Sequence, residues 1–205
     1  IAPVANCQNI TAQLDASGNV TITPAQVDNG SNDNCSIASV ALDVASFDCS
    51  NIGTNAVTLT VTDASGNTST CDVTVTIEDN VAPTALCQDI TVQLDATGNA
   101  SITAADIDNG SNDACGIASL VADITSFDCS NIGANNVTLT VTDDGGNSAA
   151  CVAIVTVLDT ISPIVVCQNI DAFLDASGNV TITGAMLDGG STDNCGTATL
   201  TFSLG

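Results

Sequence analysis

Val57-Thr58-Leu59-Thr60-Val61-Thr62 alternates apolar residues with threonine without a break, the two-residue period of a strand with one face buried. Outward from it, Cys71-Asp72-Val73-Thr74-Val75-Thr76-Ile77-Glu78 alternates in the same way, with the cysteine on the buried face. Asp63-Ala64-Ser65-Gly66-Asn67 lies between the two and supplies the turn of a hairpin. A similar turn, Asp15-Ala16-Ser17-Gly18-Asn19, separates a strand over Gln8 to Leu14 from one over Val20 to Thr23. Ile37 to Val44 reads as a further strand, and Pro24 to Val27 as a single helical turn. Short strands punctuated by turns predict an antiparallel β-sandwich.

The pattern then starts again. Pro3-Val4-Ala5-Asn6-Cys7-Gln8 returns as Pro83-Thr84-Ala85-Leu86-Cys87-Gln88 and as Pro163-Ile164-Val165-Val166-Cys167-Gln168. Phe47-Asp48-Cys49-Ser50-Asn51-Ile52-Gly53 returns unchanged at residues 127–133. A period of 80 residues is long enough for each repeat to hold its own core. The expected domains are residues 1–81, residues 82–161 and, in residues 162–205, the N-terminal half of a third. The links between them are short, so neighbouring repeats are expected to meet end to end.

The 205 residues include no Lys, Arg, His, Trp or Tyr, against 23 acids and a formal charge of −23. Nucleic acid and direct membrane insertion are excluded as modes of action: nucleic acid needs a basic surface, and no apolar run is long enough to span a bilayer. Hydrophobic residues still reach 44%, too many for a disordered acidic tail. A surface of one sign repels itself, and only counter-ions or bound cations relieve it.

Ten cysteines sit in register, four to a full repeat, which reads as a disulfide framework and an oxidising extracellular or cell-surface location. Zinc is disfavoured by the lack of His and of any CxxC pair.

Each repeat resembles a hyalin repeat domain, an immunoglobulin-like module of extracellular proteins. The matching residues are Cys7 before Ile10, Asp33-Asn34-Cys35, Gly53 before Val57-Thr58-Leu59, and Thr62-Asp63-Ala64-Ser65-Gly66-Asn67-Thr68 leading to Cys71. The versions with Phe47-Asp48-Cys49 and Asp33-Asn34-Cys35 resemble tandem repeats in large surface adhesins of Bacteroidota-type bacteria. The expected fold is thus all-β: tandem immunoglobulin-like antiparallel β-sandwiches with an 80-residue period, stapled by disulfides. The resemblance implies Cys7–Cys71 and Cys87–Cys151 bridges, and parallel first and last strands of a sandwich agree with it. Cys35 then pairs with Cys49, and Cys115 with Cys129. The connectivity Cys7–Cys35 with Cys49–Cys71 stays open as the alternative. With the first pairing, Cys167 and Cys195 have no partners, so the chain is expected to be a segment of a longer array or to be completed by another chain.

Seventeen of the 23 acids occupy seven repeating positions, those of Asp15, Asp28, Asp33, Asp43, Asp48, Asp63 and Asp79. Tracing the sandwich gathers Asp79 with Asp108, Asp113 and Asp143 at the first junction, and Asp159 with Asp188 and Asp193 at the second. Asp28, Asp33 and Asp63 hold the equivalent places in the first repeat. Such clusters of carboxylates and amides suit Ca2+, which takes six to eight oxygen ligands. The competing reading is that these are turn residues bonding their own backbone.

Three outward positions of the first repeat, Asp72, Thr74 and Glu78, become Val152, Ile154 and Leu158 in the second, and Gln13 and Gln93 become Phe173. An apolar outer face on an edge strand is a candidate contact patch. Asp159-Thr160-Ile161 resembles a Bacteroidota O-glycosylation sequence, which makes Thr160 a candidate for a glycan.

Catalysis is excluded on chemical grounds. Without His or Lys, no serine has an ordinary activating base, and no cation is present to stabilise a developing anion. The expected function is a non-catalytic extracellular structural repeat in the stalk or fibre of a surface adhesin or filament. Its expected partners are neighbouring repeats or copies of itself. A Ca2+-dependent module that binds surface glycans is the alternative.

Overall fold

The computed structural model describes residues 1–196 and 199–203; the last two residues of the 162–205 repeat lie outside them. The fold consists of two tandem all-β domains, antiparallel sandwiches stapled by disulfides. In the first repeat, the strands are β1 (Ile10–Gln13), β2 (Asn19–Thr21), β3 (Ile37–Leu42), β4 (Ser46–Asp48), β5 (Gly53–Asp63) and β6 (Thr68–Glu78), with a helical turn α1 (Pro24–Val27). One sheet runs β1-β6-β5-β3, and β2 pairs with β4 in a second.

The same order returns as β7 (Ile90–Gln93), β8 (Asn99–Ser101), α2 (Ala104–Ile107), β9 (Ile117–Ala122), β10 (Ser126–Asp128), β11 (Gly133–Asp143) and β12 (Ser148–Leu158). These form a β7-β12-β11-β9 sheet and a β8-β10 pair. The third copy holds a helical turn α3 (Gly184–Leu187). Its bridges Ile164 to Thr192 and Cys167 to Asp188 reproduce Val4 to Asn32 and Cys7 to Asp28.

The hairpin of β5 and β6 is built by alternation. Val57, Leu59, Val61, Val73, Val75 and Ile77 are buried, while the threonines between them face outward. β-branched residues suit both faces of such a pleat. The turn closes because the Asp63 carboxylate accepts from Ser65 N (2.8 Å), Asn67 N (2.9 Å) and Asn67 Nδ2 (2.7 Å). Leu14, Ile22, Val27 and Phe47 close the core from the other side. β1 runs parallel to β6, with Ile10 opposite Val75, and so brings Cys7 to Cys71. Cys7 is bonded to Cys71, and Cys87 to Cys151.

The other bridges differ from expectation. Cys35 is not bonded to Cys49, nor Cys115 to Cys129, nor is the open alternative adopted. Cys49 is bonded to Cys115 and Cys129 to Cys195, while Cys35 and Cys167 are free thiols. Strand length explains this. Ile37, just after Cys35, is opposite Asp63 at the far end of β5, whereas Cys49 lies just before Gly53 at its start. Eleven residues of strand hold the two cysteines roughly 30 Å apart. Cys195, expected to lack a partner, has one in Cys129.

By packing, the chain forms two compact units. The first gathers Ile1–Leu86, Gly110–Leu120 and Thr140–Ala150; the second gathers Cys87–Asn109, Val121–Leu139 and Cys151–Gly205. Cys115 accordingly packs against the core of the first repeat beside Cys49. A second correction concerns β12, which was expected to be an edge strand. β7 lies alongside it, pairing with Val155 to Leu158. Among the described residues, no helix is long and apolar enough to cross a membrane.

Candidate functional site

The bridge between successive repeats is assembled from turns. In the Asp15–Asn19 turn, the Asp15 carboxylate accepts from Ser17 N (2.8 Å) and Asn19 N (3.1 Å). Gly18 adopts a φ of 73°, a conformation that glycine takes without steric cost. Cys49 opens a one-turn 3-10 helix over Cys49–Asn51, capped by the Asp48 carboxylate, which accepts from Ser50 N. Its sulfur lies 3.7 Å from Gly18 O and 3.6 Å from Ala114 O. On the other side, Cys115 N donates to Asp113 Oδ1 at 2.7 Å and sets the loop that carries the second sulfur. Eighty residues on, Gly98 has a φ of 77°, and Cys129 Sγ lies 3.7 Å from Gly98 O and 3.3 Å from Asn194 O.

Beside the first bridge lies a group of acids. Ligand atoms of Asp79, Asp113 and Cys115 all fall within 4.8 Å of one another. Asp79 is only 5% exposed; Val81 N donates to its Oδ1 at 3.0 Å, while its Oδ2 is buried with no hydrogen-bond partner. A buried carboxylate oxygen left unpaired is costly, which favours a bound cation. The surrounding loop is firmly held. Asn147 Nδ2 donates to Asp79 O (3.0 Å) and Val81 O (3.3 Å), and Asn147 is itself fixed by the Asp143 carboxylate, which accepts from its N (2.7 Å) and Nδ2 (3.0 Å). Glu78 and Asp144 join Asp79 in lining a shallow groove. The Cys115 sulfur is committed to its disulfide and offers no thiolate, so this group presents oxygen ligands and can hold a hard cation.

The remaining candidate ligands divide. Asp143 lies close by but is spent on Asn147. Asp63 is spent on its own turn; the Asn67 side chain, with the backbone N–H groups of Asn67 and Ser65, holds its carboxyl below the usual range. Asp28 accepts from Ser31 N and Asp33 from Cys35 N. Asp108 caps α2 and forms a bridge with Cys87. Asp188 accepts from Ser191 N and Gly190 N, and the Ser191 side chain and backbone lower its pKa.

In the second unit, Asp159 accepts from Ile161 N (3.1 Å) and Asn194 Nδ2 (3.2 Å), while Asp193 Oδ1 is buried without a partner. Asn194 stands where the first site has Ala114, so Asp159 receives an amide donor that Asp79 lacks. Sequence reasoning missed Gly18, Asn147 and Asp144. Asp144 was detectable, because Asp143-Asp144-Gly145-Gly146 departs from Asp63-Ala64-Ser65-Gly66 at two positions, one of which adds an acid.

Val152, Ile154 and Leu158 are exposed on β12, and Phe173 is 84% exposed. Thr160 is exposed, and its hydroxyl donates to Gln93 Oε1 at 3.0 Å.

The chain distributes its acids over recurring turns, as at Asp15, Asp63, Asp95 and Asp143. Its disulfides belong to an oxidising, secreted or cell-surface environment. Nothing among family models or curated proteins matches the sequence. Among solved structures, it is similar to extracellular cadherin domains 1–4 of protocadherin gamma B7, at 14% identity and a TM-score of 0.38, covering 83% of this chain and 54% of that one. It is also similar to domains EC1-2 of human mucin-like protocadherin (13% identity, TM-score 0.40, 77% of this chain and 98% of that one). Drosophila N-cadherin EC1-4 is a third (14% identity, TM-score 0.42, 77% and 50%). The chain thus spans about half the length of the protocadherin gamma B7 and N-cadherin fragments. These are distant, low-identity likenesses to cadherin-type extracellular β-sandwich repeats, and they carry nothing about function.

Proposed function

We propose that the chain belongs to the stalk or fibre of a bacterial surface adhesin or filament. In this reading residues 1–81, 82–161 and 162–205 are hyalin-repeat-like beads, the last of them a half, and each is locked covalently to the next. The observation that carries the proposal is the pair of bonds Cys49–Cys115 and Cys129–Cys195, each joining one 80-residue repeat to its successor. A catalytic or ligand-binding module has no need of such a bond; a spacer that must hold its length does.

Ca2+ is the cation that the Asp79–Asp113 group would take in an extracellular setting, with water completing the shell. It would cancel repulsion where a surface of one sign is most crowded. Val152, Ile154, Leu158 and Phe173 are the surface on which copies of the fibre would meet, and Thr160 is open to a glycan.

The test is small-angle scattering on oxidised chains carrying two, four and six repeats. A stiff stalk has a radius of gyration that grows in proportion to repeat number. Growth closer to the square root, as for a flexible string, would reject the stalk reading.

A further inference from the structure

We propose that the disulfides interleave to make this chain a fail-safe tether, one that a single backbone cut cannot sever and whose extension under load is capped. The inference rests on the stalk reading only for where the load comes from; the covalent topology stands by itself.

Four closed loops run from Cys7 to Cys71, Cys49 to Cys115, Cys87 to Cys151 and Cys129 to Cys195. Each begins inside the one before it. Every peptide bond between residues 7 and 195 therefore lies within at least one loop. With bridges confined to single repeats, residues 72–86 would lie in none, and a cut there would part the chain. The Cys49–Cys115 bond is what spans that segment.

The same interleaving shortens the path that carries force. From residue 7 it crosses to 71, returns to 49, crosses to 115, runs to 129 and crosses to 195. That is about 36 backbone steps instead of about 188, so the fully unfolded but oxidised chain reaches roughly 14 nm between those residues instead of roughly 66 nm. Bridges confined to single repeats would leave about 60 steps and roughly 22 nm. The cap lies in sulfur bonds, so it persists after every strand has been pulled out.

The sequence supplies its own test, because Glu78 is its one glutamate and falls within residues 72–86. The full oxidised chain, its free thiols alkylated, is cut with a glutamate-specific endoprotease in mild urea, which exposes the bond after Glu78 and leaves disulfides intact. Before reduction, the expected product is a single species heavier than the intact chain by one water. A dithiol then reduces each bridge with two electrons and two protons, itself closing to a cyclic disulfide, and fragments 1–78 and 79–205 separate. The reduced lane proves that cleavage occurred. Fragments that part before reduction would overturn the proposal. C49S is expected to release them without reductant, whether or not it folds; fragments of C49S that stay joined would overturn it equally. Neither outcome depends on stiffness in scattering, so the stalk reading and the tether fail separately.

Discussion

Gly18 faces the sulfur of Cys49 so closely that a Cβ added to it would lie 2.5 Å from that atom, at a φ of 73° that side chains avoid. Gly98 stands in the same relation to Cys129, at 2.7 Å. These turns must be bare for the next repeat's cysteine to reach its partner.

Gly18→Ala is therefore expected to weaken the first unit by about 1–2 kcal/mol from the left-handed backbone alone, with more from the displaced sulfur. Thiol titration would show Cys49 and Cys115 reactive in a fraction of molecules. An unchanged urea midpoint with no new thiol would contradict the assignment.

In the native chain a maleimide should label Cys35 and Cys167 and leave the other eight cysteines untouched. Peptide mapping reads this directly. Label on Cys195 with none on Cys35 would restore the pairing within repeats that sequence reasoning expected.

Millimolar Ca2+ at constant ionic strength should raise the melting temperature, and Asp79→Asn should abolish the rise. Free ligand at a hundred times its Kd stabilises by about 2.7 kcal/mol. Sodium chloride also relieves repulsion by screening, so the informative quantity is the gain beyond salt. Equal gains from both ions, or a full gain in the variant, would remove Ca2+ from the site.

Acid should destabilise the fold, because its turn carboxylates are held below their ordinary pKa. Ser50 lowers Asp48, Asn67 lowers Asp63, Thr97 lowers Asp95, Thr103 lowers Asp106 and Ser130 lowers Asp128, each by donating hydrogen bonds to the charged form. A group whose folded pKa is depressed stabilises fully above the unfolded value, about 3.9 for Asp, and loses that contribution as pH falls through the folded value. Urea midpoints should thus decline below about pH 4, and Asp63→Asn should flatten the decline. A midpoint that keeps rising toward pH 2 would count against these turns.

Much of the fold was legible locally. The valine–threonine alternation set β5 and β6, Asp63 and Gly66 set their turn, and Pro24 to Val27 formed the helical turn expected of it. β4 was missed, since Ser46-Phe47-Asp48 is too short to show a period. The site was legible in part. Asp79 and Asp113 recur at fixed positions and do come together, but the same recurrence marked Asp28, Asp33 and Asp63, which accept hydrogen bonds from within their own turns.

What the chain's letters determined alone was whatever depends on neighbours a few residues apart: strand period, turn chemistry, the charge of one sign, and the repeat that multiplies them. Only the tertiary structure decided which sulfur meets which. The length of β5 carries Cys35 and Cys49 to opposite ends of one sandwich, and the bare turn at Gly18 opens Cys49 to a residue 66 positions ahead. Distances of that kind are set by how strands stack, and no local pattern encodes them.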